Sequence, residues 1–219
     1  MIKENLIKLN TEIPKNVELI AVSKTKPASS ILEAYEVGQR KFGENKVQEL
    51  TEKYNLLPKD IEWHLIGHLQ SNKVKYIAPF VHLIHAVDSL KLLVEIDKQA
   101  QKHKRIIYCL LQFHIAQEET KYGLDLSEAE SLLLSKEYAS LKNISISGVM
   151  GMASFTNNTT QIRNEFHSLK EIFTTLKGKY FKNQDSFSIL SMGMSGDYQI
   201  AIEEGSNMVR LGSSIFGLR

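Results

Sequence analysis

The sequence has one cysteine, four prolines and no marked surplus of either charge, and each shortage excludes something. Cys109 lies inside the apolar run Ile106-Ile107-Tyr108-Cys109-Leu110-Leu111. No internal disulfide is available to it, and it reads as a small buried side chain whose thiol stays protonated, not as a nucleophile. No apolar run approaches the roughly 20 residues that a membrane-spanning helix needs. Met1-Ile2-Lys3-Glu4-Asn5-Leu6-Ile7-Lys8 is a short amphipathic helix pattern with an acid in it, where a secretion signal would have a continuous apolar core. Both absences point to the cytoplasm and away from a membrane partner. The 27 Lys and Arg and 25 Asp and Glu are spread along the chain, so there is no basic stripe and no nucleic-acid partner is expected. No Pro/Gly/Ser-rich linker or low-complexity segment interrupts the sequence, and residues 1–219 read as one domain, expected to act as a monomer.

What is present is alternation. Leu19-Ile20-Ala21-Val22 is a short apolar strand, and Ile31, Ala34 and Tyr35 follow at helical spacing, closed by Gly38. A second strand over 41–45 leads to a helix carrying Val47, Leu50 and Tyr54, ended by Pro58. A third over 61–67 leads to a helical stretch over 71–78, stopped by Pro79, and a fourth over 81–87 to a helix over 90–104. The longest apolar run, 105–114, is a fully buried fifth strand. Ser127-Glu128-Ala129-Glu130 reads as a capping box opening a helix that runs to about Ala139. Strand six spans 144–152, followed by a strongly amphipathic helix over 161–176. Strand seven spans 187–192, a short helix 198–204 and strand eight 208–211. Eight strand–helix units in a chain of this length imply an α/β fold with a closed parallel (β/α)8 TIM barrel; an open doubly wound sheet is the competing architecture.

In such a barrel the strand C-termini share one face. The polar residues found there are Ser23, Lys24, Glu44, Asn45, His64, His68, His114, the stretch 150–154 and Ser195. Lys24 stands where the first strand leaves the core. Partial burial of its stem would favour the neutral, nucleophilic amine that condenses with an aldehyde, although a lysine in a loop is ordinarily just solvated. Ser191-Met192-Gly193-Met194-Ser195-Gly196-Asp197 and Val209-Arg210-Leu211-Gly212-Ser213-Ser214-Ile215 each run from a strand into a glycine-containing turn, where free N–H groups and a hydroxyl can hold an anion. The loops after strands seven and eight are the usual phosphate site of this barrel class. An imine-forming lysine opposite a phosphate cradle is the pairing that pyridoxal 5′-phosphate requires.

Five segments carry a resemblance. They are Ala21-Val22-Ser23-Lys24-Thr25-Lys26-Pro27, Phe42-Gly43-Glu44-Asn45-Lys46-Val47-Gln48-Glu49, Trp63-His64-Leu65-Ile66-Gly67-His68-Leu69-Gln70-Ser71-Asn72-Lys73, Ser191-Met192-Gly193-Met194-Ser195, and Val209-Arg210-Leu211-Gly212 with Ile215-Phe216-Gly217. Together they resemble the pyridoxal phosphate homeostasis protein family, which is itself similar to the N-terminal barrel of alanine racemase and the other fold-type III enzymes. The resemblance implies that Lys24 holds the cofactor as a Schiff base, with Lys26 as a second lysine able to accept it. It also implies that Asn45 lines the pocket near the ring, that Ser195, Gly212 and Ser213 hold the phosphate, and that Arg210 faces the pyridine nitrogen. His64 lies in a shared motif and is expected to line the mouth as a packed, hydrogen-bonded histidine. The chain departs from the family pattern at His114, where asparagine is common, at Tyr122 within Lys121-Tyr122-Gly123, and at Gly151-Met152, where a threonine-containing pair is usual.

A guanidinium at the pyridine nitrogen repels a proton there and weakens the ring as an electron sink. The racemases that the chain resembles take a second base, a tyrosine, from an additional β-domain, and the chain stops just after strand eight. The expectation is a non-enzymatic protein that buffers pyridoxal phosphate or delivers it to apo-enzymes. The rival is a racemase that recruits Tyr122, His114 or His64 as its second base. A metal-dependent barrel hydrolase gains little from the seven histidines: His64 and His68 straddle a strand end instead of sharing a helix face, so no metal site is expected.

Overall fold

The structure, a computed structural model, describes residues 1–117 and 122–217. Its strands are β1 (Glu18–Val22), β2 (Lys41–Glu44), β3 (Glu62–Leu65), β4 (Leu83–Val87), β5 (Ile107–Phe113), β6 (Ile144–Gly151), β7 (Ile189–Ser191) and β8 (Met208–Leu211). They pair in chain order, all parallel. The sheet closes on itself through β1 and β8, with Glu18 opposite Met208 and Ala21 opposite Leu211. That closure decides for the (β/α)8 barrel and against the open sheet.

Around it lie α1 (Ile2–Glu12), α2 (Ala28–Glu36), α3 (Val47–Leu56), α4 (Val74–Ile77), α5 (Leu90–Lys102), α6 (Leu126–Leu133), α7 (Lys136–Ser140), α8 (Thr159–Tyr180), α9 (Tyr198–Glu203) and α10 (Ser213–Phe216). Successive strand residues point to opposite faces, so the core has two shells. The larger, between sheet and helices, includes Phe42, Trp63, Phe113 and Phe166. A small inner cluster of Ile20, Leu83, Ala86, Leu110, Met150 and Met208 fills part of the barrel.

Several boundaries differ from the sequence expectation. The helical stretch expected over 71–78 is a 3-10 turn, Ser71–Lys73, running into α4. The capping box sits two residues earlier than expected: Asp125 accepts from Glu128 N at 2.8 Å while Glu128 accepts from Asp125 N at 2.9 Å. An N-cap needs extended backbone, which Asp125 has at φ −89, ψ 174, whereas Ser127 already lies inside α6. The expected single helix is two, because Ser135 caps α7 through Tyr138 N and ends α6. The last strand is followed by α10, a helix of only four residues. The N-terminal amphipathic segment supplies the missing cover: Leu6 and Leu9 are buried, and Asn5 Nδ2 donates to Ile215 O at 2.9 Å.

Candidate functional site

Lys24, partly buried, leaves the end of β1 between two anchored neighbours. Ser23 Oγ donates to Glu44 Oε1 at 2.6 Å. The Lys53 ammonium, on α3, donates to Ser23 O, Glu44 Oε1 and Glu49 Oε1, each at 2.7 Å. Glu49 in turn accepts from Thr25 N at 2.6 Å. Thr25 has φ 65, a left-handed conformation that a β-branched residue adopts only when its surroundings impose it, and the Glu49 hydrogen bond supplies that constraint. The backbone on both sides of Lys24 is therefore fixed by one buried ion cluster. Burial pushes the Glu44 carboxyl up from its ordinary range, against the hydrogen bonds from Lys53 and Ser23, and its Oε2 has no partner among the described residues. Burial also pushes Glu49 up, but the Lys53 hydrogen bond, Thr25 N–H and nearby lysine charge together outweigh it and hold that carboxyl below its usual value. Lys26 points away from this cluster, its Nζ donating to Phe216 O at 3.1 Å and Gly217 O at 3.4 Å.

Barrel closure sets β1 between β2 and β8, so the ends carrying Lys24, Asn45, Gly212 and Ser213 are neighbours. Gly212 is pressed against β1: a Cβ there would stand 3.3 Å from Val22 O. Asn45 follows β2 and is backed by Gly67, where a Cβ would come within 2.5 Å of Asn45 O. Ser195 is tied into the same group, its Oγ accepting from Gly212 N at 3.1 Å and Ser214 N at 3.3 Å. Two backbone donors thus converge on an oxygen at the start of α10, the arrangement a phosphate oxygen would take up, and the residues present fit a phosphate. The turn holding Ser195 is shaped by Gly193, at φ +100 and packed under Tyr198 and Ala201, and by Asp197, which accepts from Met194 N at 2.5 Å.

Arg210 lies below this rim, inside the barrel and 3% exposed. Nη1 donates to Ser191 Oγ at 2.6 Å and Nη2 to Gly151 O at 3.0 Å. Burial pulls the guanidinium down to about 10, still cationic at neutral pH. Gly151, one of the departures from the family pattern, has a packing reason, since a Cβ would meet Leu169 at 2.8 Å and Ile115 at 2.9 Å. Ser154 is drawn outward, its N–H and Oγ both on Glu165, at 2.6 and 2.7 Å.

His64 is not at the mouth. It is the third of four residues in β3, buried in the barrel body, with Nδ1 2.9 Å from His85 Nε2, and His85 Nδ1 lies 3.2 Å from Ser191 Oγ. The expectation of a packed, hydrogen-bonded histidine holds for Nδ1, while Nε2 is buried with no partner among the described residues. On the far side of the mouth, Tyr122 is 60% exposed and stacked on His68 at 4.4 Å, and His68 Nδ1 lies 3.4 Å from Asp88. The exposed His114 donates its backbone N–H to Leu124 O. Lys121 falls outside the described residues. Burial raises the Cys109 thiol pKa strongly, as the apolar run implies.

The residues that sequence reasoning missed are Lys53, Glu49, His85 and, as a partner of Arg210, Ser191. Lys53 had a readable signal: it falls three residues after Leu50 on the apolar face of α3, where a lysine calls for a buried partner.

The alanine racemase N-terminal domain family matches residues 1–219. The chain is 40% identical over 206 residues to the pyridoxal phosphate homeostasis protein of Haemophilus influenzae, covering 93% of this chain and 85% of that one. It is 36% identical over 210 residues to the protein of that name in Escherichia coli, covering 94% and 87%. The structure of PipY from Synechococcus elongatus with PLP bound superposes with a TM-score of 0.88 at 35% identity, covering 99% of this chain and 100% of that one. Alanine racemase from Bartonella henselae shares the fold at a TM-score of 0.74 and 16% identity, over 99% of this chain and 58% of that enzyme. This chain belongs to the pyridoxal phosphate homeostasis protein family, built on the alanine racemase N-terminal barrel.

Proposed function

We propose that this chain binds pyridoxal 5′-phosphate at the barrel mouth and holds it for intracellular buffering or delivery. The observation that carries the proposal is the juxtaposition, on the adjacent ends of β8, β1 and β2, of an anchored lysine and two N–H groups converging on the Ser195 oxygen. Lys24 would hold the group through its aldehyde, with loss of water, Gly212, Ser213 and Ser195 would hold the phosphate, and Asn45 would line the pocket near the ring. When bound, the group supplies an aldehyde that condenses reversibly with amines and a ring that withdraws electrons from the condensed carbon. The cluster around Lys53 keeps the Lys24 backbone still, so little ordering entropy is lost on binding.

Arg210 supports holding over turnover. A guanidinium buried below the rim disfavours a proton on a ring nitrogen placed near it, which weakens the electron sink. The racemase alternative needs a base on the opposite face of a substrate, and of its three candidates His64 lies in the barrel body, paired with His85. In the proposed role residues 1–219 act as one monomeric cytoplasmic unit, with apo-enzymes as recipients. Among the described residues no helix is long and apolar enough to cross a membrane.

The test is an absorbance spectrum of the purified chain and of Lys24→Ala, with added pyridoxal phosphate, before and after borohydride. A visible band that borohydride abolishes, and that Lys24→Ala lacks, supports the assignment; a chain that stays colourless overturns it. Deuterium wash-in at the Cα of free amino acids, abolished by Lys24→Ala, would transfer the assignment to the racemase.

A further inference from the structure

The opposite end of the barrel, where the strands begin, carries a cluster for which the mouth has no use. Glu62 opens β3, and His64 follows two residues later on the same side of the strand. His82 stands one residue before β4, its N–H donating to Trp63 O at 2.8 Å, so pairing of β3 with β4 brings the three together. One ligand atom from each of Glu62, His64 and His82 lies within 4.8 Å of the others. Glu62 Oε2 and His82 Nε2 are 3.4 Å apart, about the separation of two donors on one tetrahedral zinc with bonds of ~2.0–2.1 Å.

His64 is the telling member. It is 1% exposed, its ring stacks on His82 with centroids 5.4 Å apart, and Nδ1 on one side is committed to His85. Nε2, across the ring, is a buried nitrogen with no partner among the described residues. Such an atom in an otherwise satisfied interior calls for an explanation.

The geometry points to a divalent zinc-class cation held at this end of the barrel by Glu62, His64 and His82, with water in the fourth position. Two imidazoles and a carboxylate are a known zinc donor set. The side chains of Glu62 and His82 are 39% and 44% exposed, which gives them freedom to turn onto the ion while His64 stays fixed. The second shell is already built. A cation on Nε2 requires the His64 proton on Nδ1, donated to His85 Nε2. His85 then carries its proton on Nδ1, donated to Ser191 Oγ, which also accepts from Arg210. The ion therefore selects one proton arrangement along a chain that ends at the guanidinium beneath the mouth.

The test uses the full chain after chelator treatment, titrated with Zn2+ by calorimetry and with Co2+ by visible absorption, beside His82→Ala, Glu62→Gln and Lys24→Ala. Uptake of one equivalent is expected, with the ligand-field bands of four-coordinate Co2+. It should weaken by at least about ten-fold in His82→Ala and in Glu62→Gln, and persist in Lys24→Ala, which separates this site from the mouth. In 15N spectra of the histidine rings, Zn2+ should leave His64 protonated at Nδ1 alone. No stoichiometric uptake, uptake by His82→Ala and Glu62→Gln as tight as by the unaltered chain, or an unchanged His64 ring on metal addition would each overturn the assignment.

Discussion

Arg210 Nη1 lies 2.6 Å from Ser191 Oγ, and through that hydroxyl the guanidinium meets His85, whose Nδ1 is 3.2 Å from the same oxygen. One serine thus satisfies two buried groups reaching it from β8 and β4. Ser191→Ala removes the oxygen and keeps the volume, stranding both. We expect a loss of about 2–3 kcal/mol, checked by urea unfolding. Ser191→Thr, which keeps the hydroxyl, should recover part of it.

The Lys53–Glu44 pair is buried at both ends, with side chains 8% and 0% exposed. Lys53→Met leaves the Glu44 carboxylate without its cation and should cost about 3–5 kcal/mol. Adding Glu44→Leu removes the orphaned charge, so the double variant should be more stable than Lys53→Met alone. Unfolding curves of the three chains decide this, and strict additivity would count against coupling.

Glu165 gathers Ser154 N, Ser154 Oγ, Gln117 N and Gln161 Nε2. Burial raises its pKa, but the four donors outweigh burial and hold it below the ordinary value of 4.5. A carboxyl depressed in the folded state binds protons less readily than in the unfolded chain. Its contribution is thus present above 4.5 and is lost as pH falls through the folded value. Glu49 behaves likewise, while Glu44, raised by burial, acts in the opposite sense. Stability should therefore fall from pH 5 towards pH 3, and the fall should be shallower in Glu165→Gln, measured by denaturant unfolding across that range.

Gly67 touches the backbone of Asn45 so closely that an added Cβ would stand 2.5 Å from its carbonyl oxygen and 2.8 Å from its Cα. Gly67→Ala must push the end of β2 aside. We expect a stability loss of about 1–3 kcal/mol and weaker pyridoxal phosphate binding, read from the visible band during titration. Gly196→Ala, at a position with open space, is the control and should change neither.

The strands were legible because each is a short apolar run closed by polar residues, and the lysine at the end of the first falls where that pattern places it. What the pattern lacks is a side. In a strand buried on both faces, alternation no longer separates barrel interior from helix layer, so His64 could be set at the mouth although it points into the body of the barrel. The motif that holds it straddles the end of β3 and invites that placement. The Lys53 cluster was hidden for another reason: its members, Ser23, Glu44, Glu49 and Lys53, come from three elements, and only closure of β1 onto β2 brings them into contact. Asp125 prevailed over Ser127 on backbone conformation, which local composition does not reveal.

The Lys26 ammonium and the Phe216 carbonyl that meet beside the mouth are 190 residues apart in the chain. During synthesis Lys24 emerges long before Gly212 and Ser214, whose N–H groups converge on the Ser195 oxygen. The site therefore cannot assemble piecemeal: it comes into being when β8 docks on β1, the most sequence-distant pairing in the barrel and the one with the largest loop to close. Competence to bind is in this sense a report that folding has finished.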